Sequence, residues 1–442
     1  MAAIEKKLQT LTLGCSKNKV DTEHILSQVE SLYEIVPEGE DIPVDVLLIN
    51  TCGFIGDAKE ESVQAILEAI ERKNRGEVGK VVVFGCLSQR YANELPDLIP
   101  EVDAWYGARD FDPVIRELGA EPDPEAAMRR YLTGPSHYAY LKISEGCDRR
   151  CSYCAIPFIR GAHKSVPIED LVKEAQNLAE KGVKELIIIA QDTTYYGLDL
   201  YRRRALAELL QKLSEVEGIE WIRIHYSYPA AFPEDVLEQM AENSKVCRYM
   251  DIPLQHISDK VLANMHRNVD GAWTRELIRK MRERVPGVVL RTTMIVGHPG
   301  EGKRDFNELL SFAEEARFER LGAFRYSEEE GTYGAENLKD SISARIKQER
   351  LDELMTLQSG ISLAYNQSRI GSEIKVIVDD FTDGIFVCRS EFESPEVDGE
   401  ILAKPDPEVL GDVDPYSLIG EFITVRVTGA DEYDLSAEII EI

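Results

Sequence analysis

The sequence predicts an α/β protein in three parts: a parallel α/β domain, a larger second run of βα units, and a small all-β domain. Three observations predict it. Short apolar runs alternate with helical periodicity over the first 120 residues, as expected when crossover helices join parallel strands. A Pro- and acid-bearing segment at 119–125 breaks the pattern like a linker, and the alternation restarts near residue 136. After Gly371 it gives way to short alternating runs separated by turn residues, the mark of a small barrel or sandwich. The expected domains are 1–121, 133–366 and 367–442.

In the first part, strands are expected at 8–13, 46–49 and 81–84. The helices between them show an apolar face at Val20, Ile25, Val29 and Leu32, then run over 58–73 and 89–95. In the second part the strands fall at 138–143, 185–190, 221–224, 249–254, 288–296 and 320–326. Six βα units make an open, partial (β/α)6 barrel, short of the closed eightfold form. A long amphipathic helix is expected at 343–368, then strands at 374–378, 384–389, 399–402, 422–428 and 435–440.

Composition narrows the function. The 442 residues exceed one core. No apolar run reaches the length of a membrane span. The start, Met1-Ala-Ala-Ile-Glu-Lys-Lys, has no apolar centre or cleavage site. A cytoplasmic protein with no membrane partner is expected. Eight cysteines are too sparse for a disulfide scaffold, and a reducing compartment favours metal binding. The net charge of −29 argues against a phosphate-tracking surface, and so against nucleic acid as direct substrate. Residues 373–442 alone hold 19 Asp or Glu against four Lys or Arg. Such a domain is expected to attract a basic partner.

Chemistry concentrates in Glu145-Gly-Cys147-Asp-Arg-Arg-Cys151-Ser-Tyr-Cys154. Three cysteines in C-x3-C-x2-C have no fourth nearby. A 4Fe–4S cluster normally takes four thiolates, so three leave one iron open for a small molecule. Zinc would want a fourth Cys or His close by. Three more cysteines each follow a predicted strand and each neighbour a glycine: Leu13-Gly-Cys15, Thr51-Cys52-Gly53 and Gly85-Cys86. Ligands of an open α/β sheet lie beyond the carboxyl ends of its strands. These thiols are therefore expected to converge, again suiting a 4Fe–4S cluster with an open iron. Cys247 and Cys388 are isolated and expected to be structural. Gly297-His-Pro-Gly300 lacks the Lys-Ser/Thr of a phosphate loop, and clusters such as Lys59-Glu-Glu61 are expected to be solvated helix faces.

The C-x3-C-x2-C segment resembles the signature of the radical S-adenosylmethionine (SAM) enzymes. With the three-cysteine α/β domain before it and the small β domain after it, the whole chain resembles the methylthiotransferases of that superfamily. The words Leu13-Gly-Cys-Ser-Lys-Asn-Lys-Val-Asp-Thr-Glu23, Ile49-Asn-Thr-Cys-Gly-Phe-Ile55 and Ile143-Ser-Glu-Gly-Cys-Asp-Arg-Arg-Cys151 resemble the branch that acts on a ribosomal protein. A transfer-RNA branch, acting on a modified adenosine, is the alternative. The resemblance implies a radical-SAM barrel, a TRAM-like C-terminal domain and two 4Fe–4S clusters. It also implies SAM as radical source and methyl donor. The implied reaction puts a methylthio group on the β-carbon of one aspartate in the basic ribosomal protein S twelve. An electron donor and a sulfur source are implied partners.

By the same resemblance, Cys147, Cys151 and Cys154 hold the radical-generating cluster and are catalytic. Cys15, Cys52 and Cys86 hold the second. Tyr153 lies where the family places an aromatic against adenine. Polar groups at later strand ends, where a barrel puts its active site, are expected to hold the cofactor: Gln191, Arg223, Ser227, Gln255 and Thr293, with Val296 beside them. His256 can equally be a satisfied structural histidine. Deleting the chain after about Ile370 is expected to weaken substrate binding and leave both clusters in place, and Asp379, Asp380 and Asp383 are expected to steer the substrate.

Overall fold

The computed structural model describes residues 6–442. Residues 1–5, the start of the stretch judged not to be a secretory leader, lie outside them. The first sheet has strands β1 (Lys7–Thr12), β2 (Glu34–Val36), β3 (Val44–Thr51), β4 (Val78–Gly85) and β5 (Ala104–Trp105). They are all parallel, in the order β2-β1-β3-β4-β5. The edge strands β2 and β5, three and two residues long, are too short to leave a periodic signal. The expected 89–95 helix is instead two short pieces, Cys86–Arg90 and Leu95–Leu98.

The expected linker is partly helical, at Pro124–Arg129. Proline is tolerated there because N1 has no intrahelical hydrogen bond to lose, and the Asp123 side chain caps the Glu125 N–H at 2.9 Å. Just beyond, the fully buried Arg130 pairs with Glu23 of the first helix, Ser16–Val29, and at 2.7 Å with Glu174 of the central part. The first two parts are thus joined by buried charge.

The central sheet contains β6 (Tyr138–Lys142), β9 (Glu185–Ile189), β10 (Trp221–Ile224), β11 (Val246–Asp251), β12 (Val289–Val296) and β13 (Arg320–Arg325). A two-stranded ladder, β7 (Ser144–Glu145) with β8 (Lys164–Ser165), sits beside it. The six strands are parallel in the order β13-β12-β11-β10-β9-β6, the open partial barrel expected. One face, with Leu186, Ile222, Ile224, Met250 and Leu290, packs against the crossover helices. The opposite, concave face carries Tyr140, Glu185, Arg223, Tyr249 and Arg291. Among the described residues, no helix is long and apolar enough to cross a membrane.

The helix Ala344–Ser368, capped by Ser343, leads into β14 (Glu373–Thr382), β15 (Ile385–Arg389), β16 (Ile401–Lys404), β17 (Phe422–Ala430) and β18 (Leu435–Glu441). These close a barrel in the order β14-β15-β16-β18-β17. Cys388 lies in its apolar core, and Cys247 packs with Trp221 and Tyr249, so both are structural as expected.

Docking of this barrel corrects the reading of the acidic domain as a free surface. The loop 390–398 enters the concave face of the central sheet. Ser394 Oγ lies 2.8 Å from His225 Nε2, and Tyr249 donates to Asp398 at 2.6 Å. Buried Glu393 pairs with Arg320 at 3.1 Å and with Arg369. Asp379, expected to steer a partner, instead binds His137 at 2.7 Å and Arg389 at 2.5 Å. Much of the acid in this domain therefore neutralises cations within the molecule. Removing the domain would take Glu393 from Arg320 and the Ser390 and Glu391 carbonyls from Arg223, so truncation would uncover the concave face of the central sheet as well as remove acidic surface.

Candidate functional site

The loops that carry the N-terminal cysteines are neighbours because the sheet places them so. Cys15, Cys52 and Cys86 follow β1, β3 and β4, adjacent strands whose registers pair Thr12 with Asn50 and Thr51 with Gly85. Cys15 is the N-cap of Ser16–Val29, and Cys86 opens Cys86–Arg90. The loops touch. Gly14 has φ +93°, and a Cβ there would lie 2.7 Å from Cys52 Cβ and 2.9 Å from its sulfur. A Cβ on Gly53 would lie 2.8 Å from the Leu87 backbone. Only glycine fits either place.

Asn18 knits the three loops together. Its Nδ2 donates to the Leu13 carbonyl at 2.7 Å and the Thr51 carbonyl at 3.2 Å, and its Oδ1 lies 3.9 Å from Cys86 Sγ. Arg160 donates from Nε to Cys86 Sγ at 3.2 Å and from Nη2 to Asn18 Oδ1 at 2.6 Å.

The C-x3-C-x2-C loop is pinned by backbone. The Cys147 N–H donates to Gly161 O, and the Ser152 N–H to Met265 O, both at 3.0 Å; Ser152 O accepts from the Gly334 N–H at 2.6 Å. Arg267 Nη1 donates to Cys151 Sγ at 3.5 Å and to the Tyr153 hydroxyl at 3.3 Å. The Tyr228 ring has the guanidinium carbons of Arg149 and Arg267 over it at 4.0 and 4.1 Å. Its hydroxyl lies 4.0 Å from Cys151 Sγ.

Burial pushes Cys86 up to about 11 and Cys147 up to about 12, and raises Cys52 and Cys154 also. Metal binding must therefore remove protons these sites would otherwise keep. Among the described residues, no three His, Cys, Asp or Glu side chains are drawn tightly enough to chelate one ion. The fit to iron–sulfur clusters rests on the all-thiol donor sets, the glycine cradle and the guanidiniums aimed at sulfur.

The expected cofactor residues divide. Gln191 donates from Nε2 to Glu145 at 2.6 Å, and its Oε1 is buried without a partner. Gln255 has φ +73°, its Oε1 is equally unpartnered, and its N–H binds Thr293 O at 2.8 Å. Arg149 Nη2 and Arg267 Nε are likewise orphaned. Buried polar atoms without partners call for a polar ligand, and an amino-acid nucleoside such as SAM fits that need. Ser227 is buried 3.5 Å from Thr193 Oγ1.

One of these expectations needs correction. Arg223 is fully buried, pairs with Glu185 at 2.7 Å, and donates to Glu391 O and Ser390 O at 2.7 and 3.2 Å. Its guanidinium holds the C-terminal loop and is not available to the cofactor. The Val296 side chain faces the helix-side core, which leaves only its backbone at the strand end. His256 is fully buried, its Nδ1 accepts from the Ser258 N–H at 3.0 Å, and burial lowers it to about 3. Lys59 is no solvated residue either: it binds buried Glu329 at 2.9 Å.

The sequence reading missed Asn18, Glu145, Arg149, Arg160, Tyr228 and Arg267 in these roles. Asn18 and Arg149 lie within three residues of a cysteine and could have been suspected. Arg160 and Arg267 reach their sulfurs only through the fold.

Comparisons with known proteins agree with this geometry. The Radical SAM superfamily matches residues 141–313, uncharacterized protein family UPF0004 residues 7–107, and the TRAM domain residues 370–440. The ribosomal protein uS12 methylthiotransferase RimO of Phocaeicola vulgatus is 51% identical over 98% of this chain and 99% of its own. That of Porphyromonas gingivalis is 51% identical over the same shares. Among solved structures, the radical SAM methyltransferase TsrM of Kitasatospora setae aligns with TM-score 0.54 at 13% identity, over 72% of each chain. The cobalamin-dependent radical enzyme OxsB aligns with TM-score 0.52 at 13% identity, over 80% of this chain and 56% of that one. These two likenesses concern the fold alone. From its relatives, the chain belongs to the family of ribosomal protein uS12 methylthiotransferases.

Proposed function

We propose that the protein is a cytoplasmic SAM-dependent enzyme that methylthiolates the β-carbon of an aspartate in the ribosomal protein uS12, using two 4Fe–4S clusters. The observation that carries this is the pair of separate three-thiol sites, joined through the short helix Ile156–Arg160. Cys147, Cys151 and Cys154 hold one cluster, and Cys15, Cys52 and Cys86 the other. When bound, the first cluster and SAM would supply the radical chemistry needed at an unactivated C–H, and the second would present sulfur.

The chain's own residues position and shield. Gln191, Gln255 and Thr293 at the strand ends hold SAM, with Tyr153 against its ring. Arg149, Tyr228 and Arg267 wall off Cys151. The loop 390–398 closes the concave face on the far side, so the substrate aspartate reaches the site from the strand-end side. An electron donor and a sulfur source complete the reaction. The transfer-RNA alternative is not favoured, because relatives about half identical over nearly the whole chain carry the name of uS12 methylthiotransferases.

Mass spectrometry of uS12 incubated with the anaerobically reconstituted enzyme, SAM, sulfide and reductant tests this. A gain of about 46 Da on one aspartate is expected, since methylthiolation replaces H by SCH3. An unmodified uS12, with the gain found on transfer RNA, would overturn the reading.

A further inference from the structure

Arg160 stands between the two thiol sites. It ends the five-residue helix Ile156–Arg160 that follows the C-x3-C-x2-C loop. It is 4% exposed. Nε donates to Cys86 Sγ at 3.2 Å, Nη2 to Asn18 Oδ1 at 2.6 Å, and Nη1 to Asp21 at 2.7 Å and Glu145 at 3.1 Å. The next residue, Gly161, accepts the Cys147 N–H through its carbonyl at 3.0 Å. One dipeptide therefore grips a ligand of each site, with the side chain of one residue and the backbone of the other.

The surrounding charges are paired. Lys142 also binds Asp21, and it binds Glu145 at 2.8 Å. Arg160 and Lys142 thus face Asp21 and Glu145, two cations against two carboxylates. Glu145 in turn accepts from Gln191 at 2.6 Å, so the network runs from Cys86 to the cofactor pocket. Replacing Arg160 by a neutral residue would leave this buried group net negative beside the N-terminal thiols.

We propose that Arg160 is a positioning residue that locks the N-terminal triad to the radical loop and raises the reduction potential of the cluster held by Cys15, Cys52 and Cys86. The proposal rests on the two-cluster reading. A guanidinium hydrogen bond draws charge from a ligand thiolate and so favours the more reduced, more negative cluster. Lysine carries the charge but lacks the fork that reaches Cys86, Asn18 and Asp21 together. Asp21 acts in the opposite sense, since its charge partly cancels that of Arg160.

The test isolates one cluster. In the Cys147→Ala, Cys151→Ala, Cys154→Ala background only the N-terminal cluster remains, and its potential is measured by an EPR-monitored redox titration. Arg160→Gln is expected to shift the potential negative, Arg160→Lys to shift it negative by less, and Asp21→Asn to shift it positive. Opposite signs are what a purely packing role would not produce. If Arg160→Gln holds no cluster, the Lys and Asp21→Asn variants decide by their signs. Potentials that stay put, or move the same way in all variants, overturn the proposal. A background protein that binds no iron sinks the two-cluster reading itself.

Discussion

The radical loop and the N-terminal triad use the same donor set but are built in opposite ways. Cys147, Cys151 and Cys154 lie within eight residues, so local chain geometry brings them together. Cys15, Cys52 and Cys86 are scattered over 72 residues and meet only because β1, β3 and β4 are neighbours in a parallel sheet. The first site can be held by one loop and its backbone clamps. The second depends on the whole domain and on glycines that let three loops touch. Binding to the first should therefore survive damage that destroys the second.

The largest expected effect separates the two. Replacing Cys147, Cys151 and Cys154 by Ala should abolish release of 5′-deoxyadenosine. Replacing Cys15, Cys52 and Cys86 should leave that release in place under strong reductant and stop methylthio transfer. Loss of cleavage in the second variant, with its remaining cluster intact by EPR, would break the division of labour.

The next effect concerns the domain interface, another assembly of distant residues. Glu393→Ala leaves Arg320 and Arg369 buried without their carboxylate, which should cost about 3–5 kcal/mol. Burial alone would raise Glu393, but Arg369 and Arg320 hold it down to about 2. Its folded value is thus depressed below the ordinary 4.5. The stabilisation, about 3 kcal/mol, is present above that ordinary value and lost as pH falls towards about 2. Acid unfolding of the wild type and of Glu393→Gln, followed by tryptophan fluorescence, should converge over this window. A variant that unfolds along the wild-type curve would make the interface pair irrelevant.

The comparison also explains what the sequence disclosed. The radical loop was legible because its spacing is the chemistry. That the three N-terminal cysteines lie on neighbouring loops was legible because each follows a strand of one parallel sheet. Facing was harder. Period-two alternation places Thr293 inward and Val296 against the helices, so the Val296 side chain could have been set aside. Arg223 could not, since nothing local says that residues about 170 positions later will cover it. Nor does composition say that acid such as Asp379 and Glu393 is matched to cations inside the molecule. Arg160 and Arg267 carry no motif and acquire their sulfurs through packing alone.

A smaller effect should come from Gly14→Ala. The residue has φ +93° and no room for a Cβ beside Cys52, so strain of about 1–3 kcal/mol is expected. Iron should be lost from the N-terminal site only, leaving 5′-deoxyadenosine release unchanged. Equal loss from both sites would show that the two are not independent. The smallest effect belongs to the exposed acids Asp380 and Asp383. Changing both to Asn should lower the association rate with uS12 by a few-fold at low salt and less at high salt. Binding kinetics insensitive to both changes would remove these two positions from substrate steering.

Iron content after anaerobic reconstitution tests the central claim most directly. About eight irons per chain are expected for the wild type, and about four for each triple-alanine variant. A wild type with about four irons, or a triple variant that keeps all of them, would contradict two independent clusters.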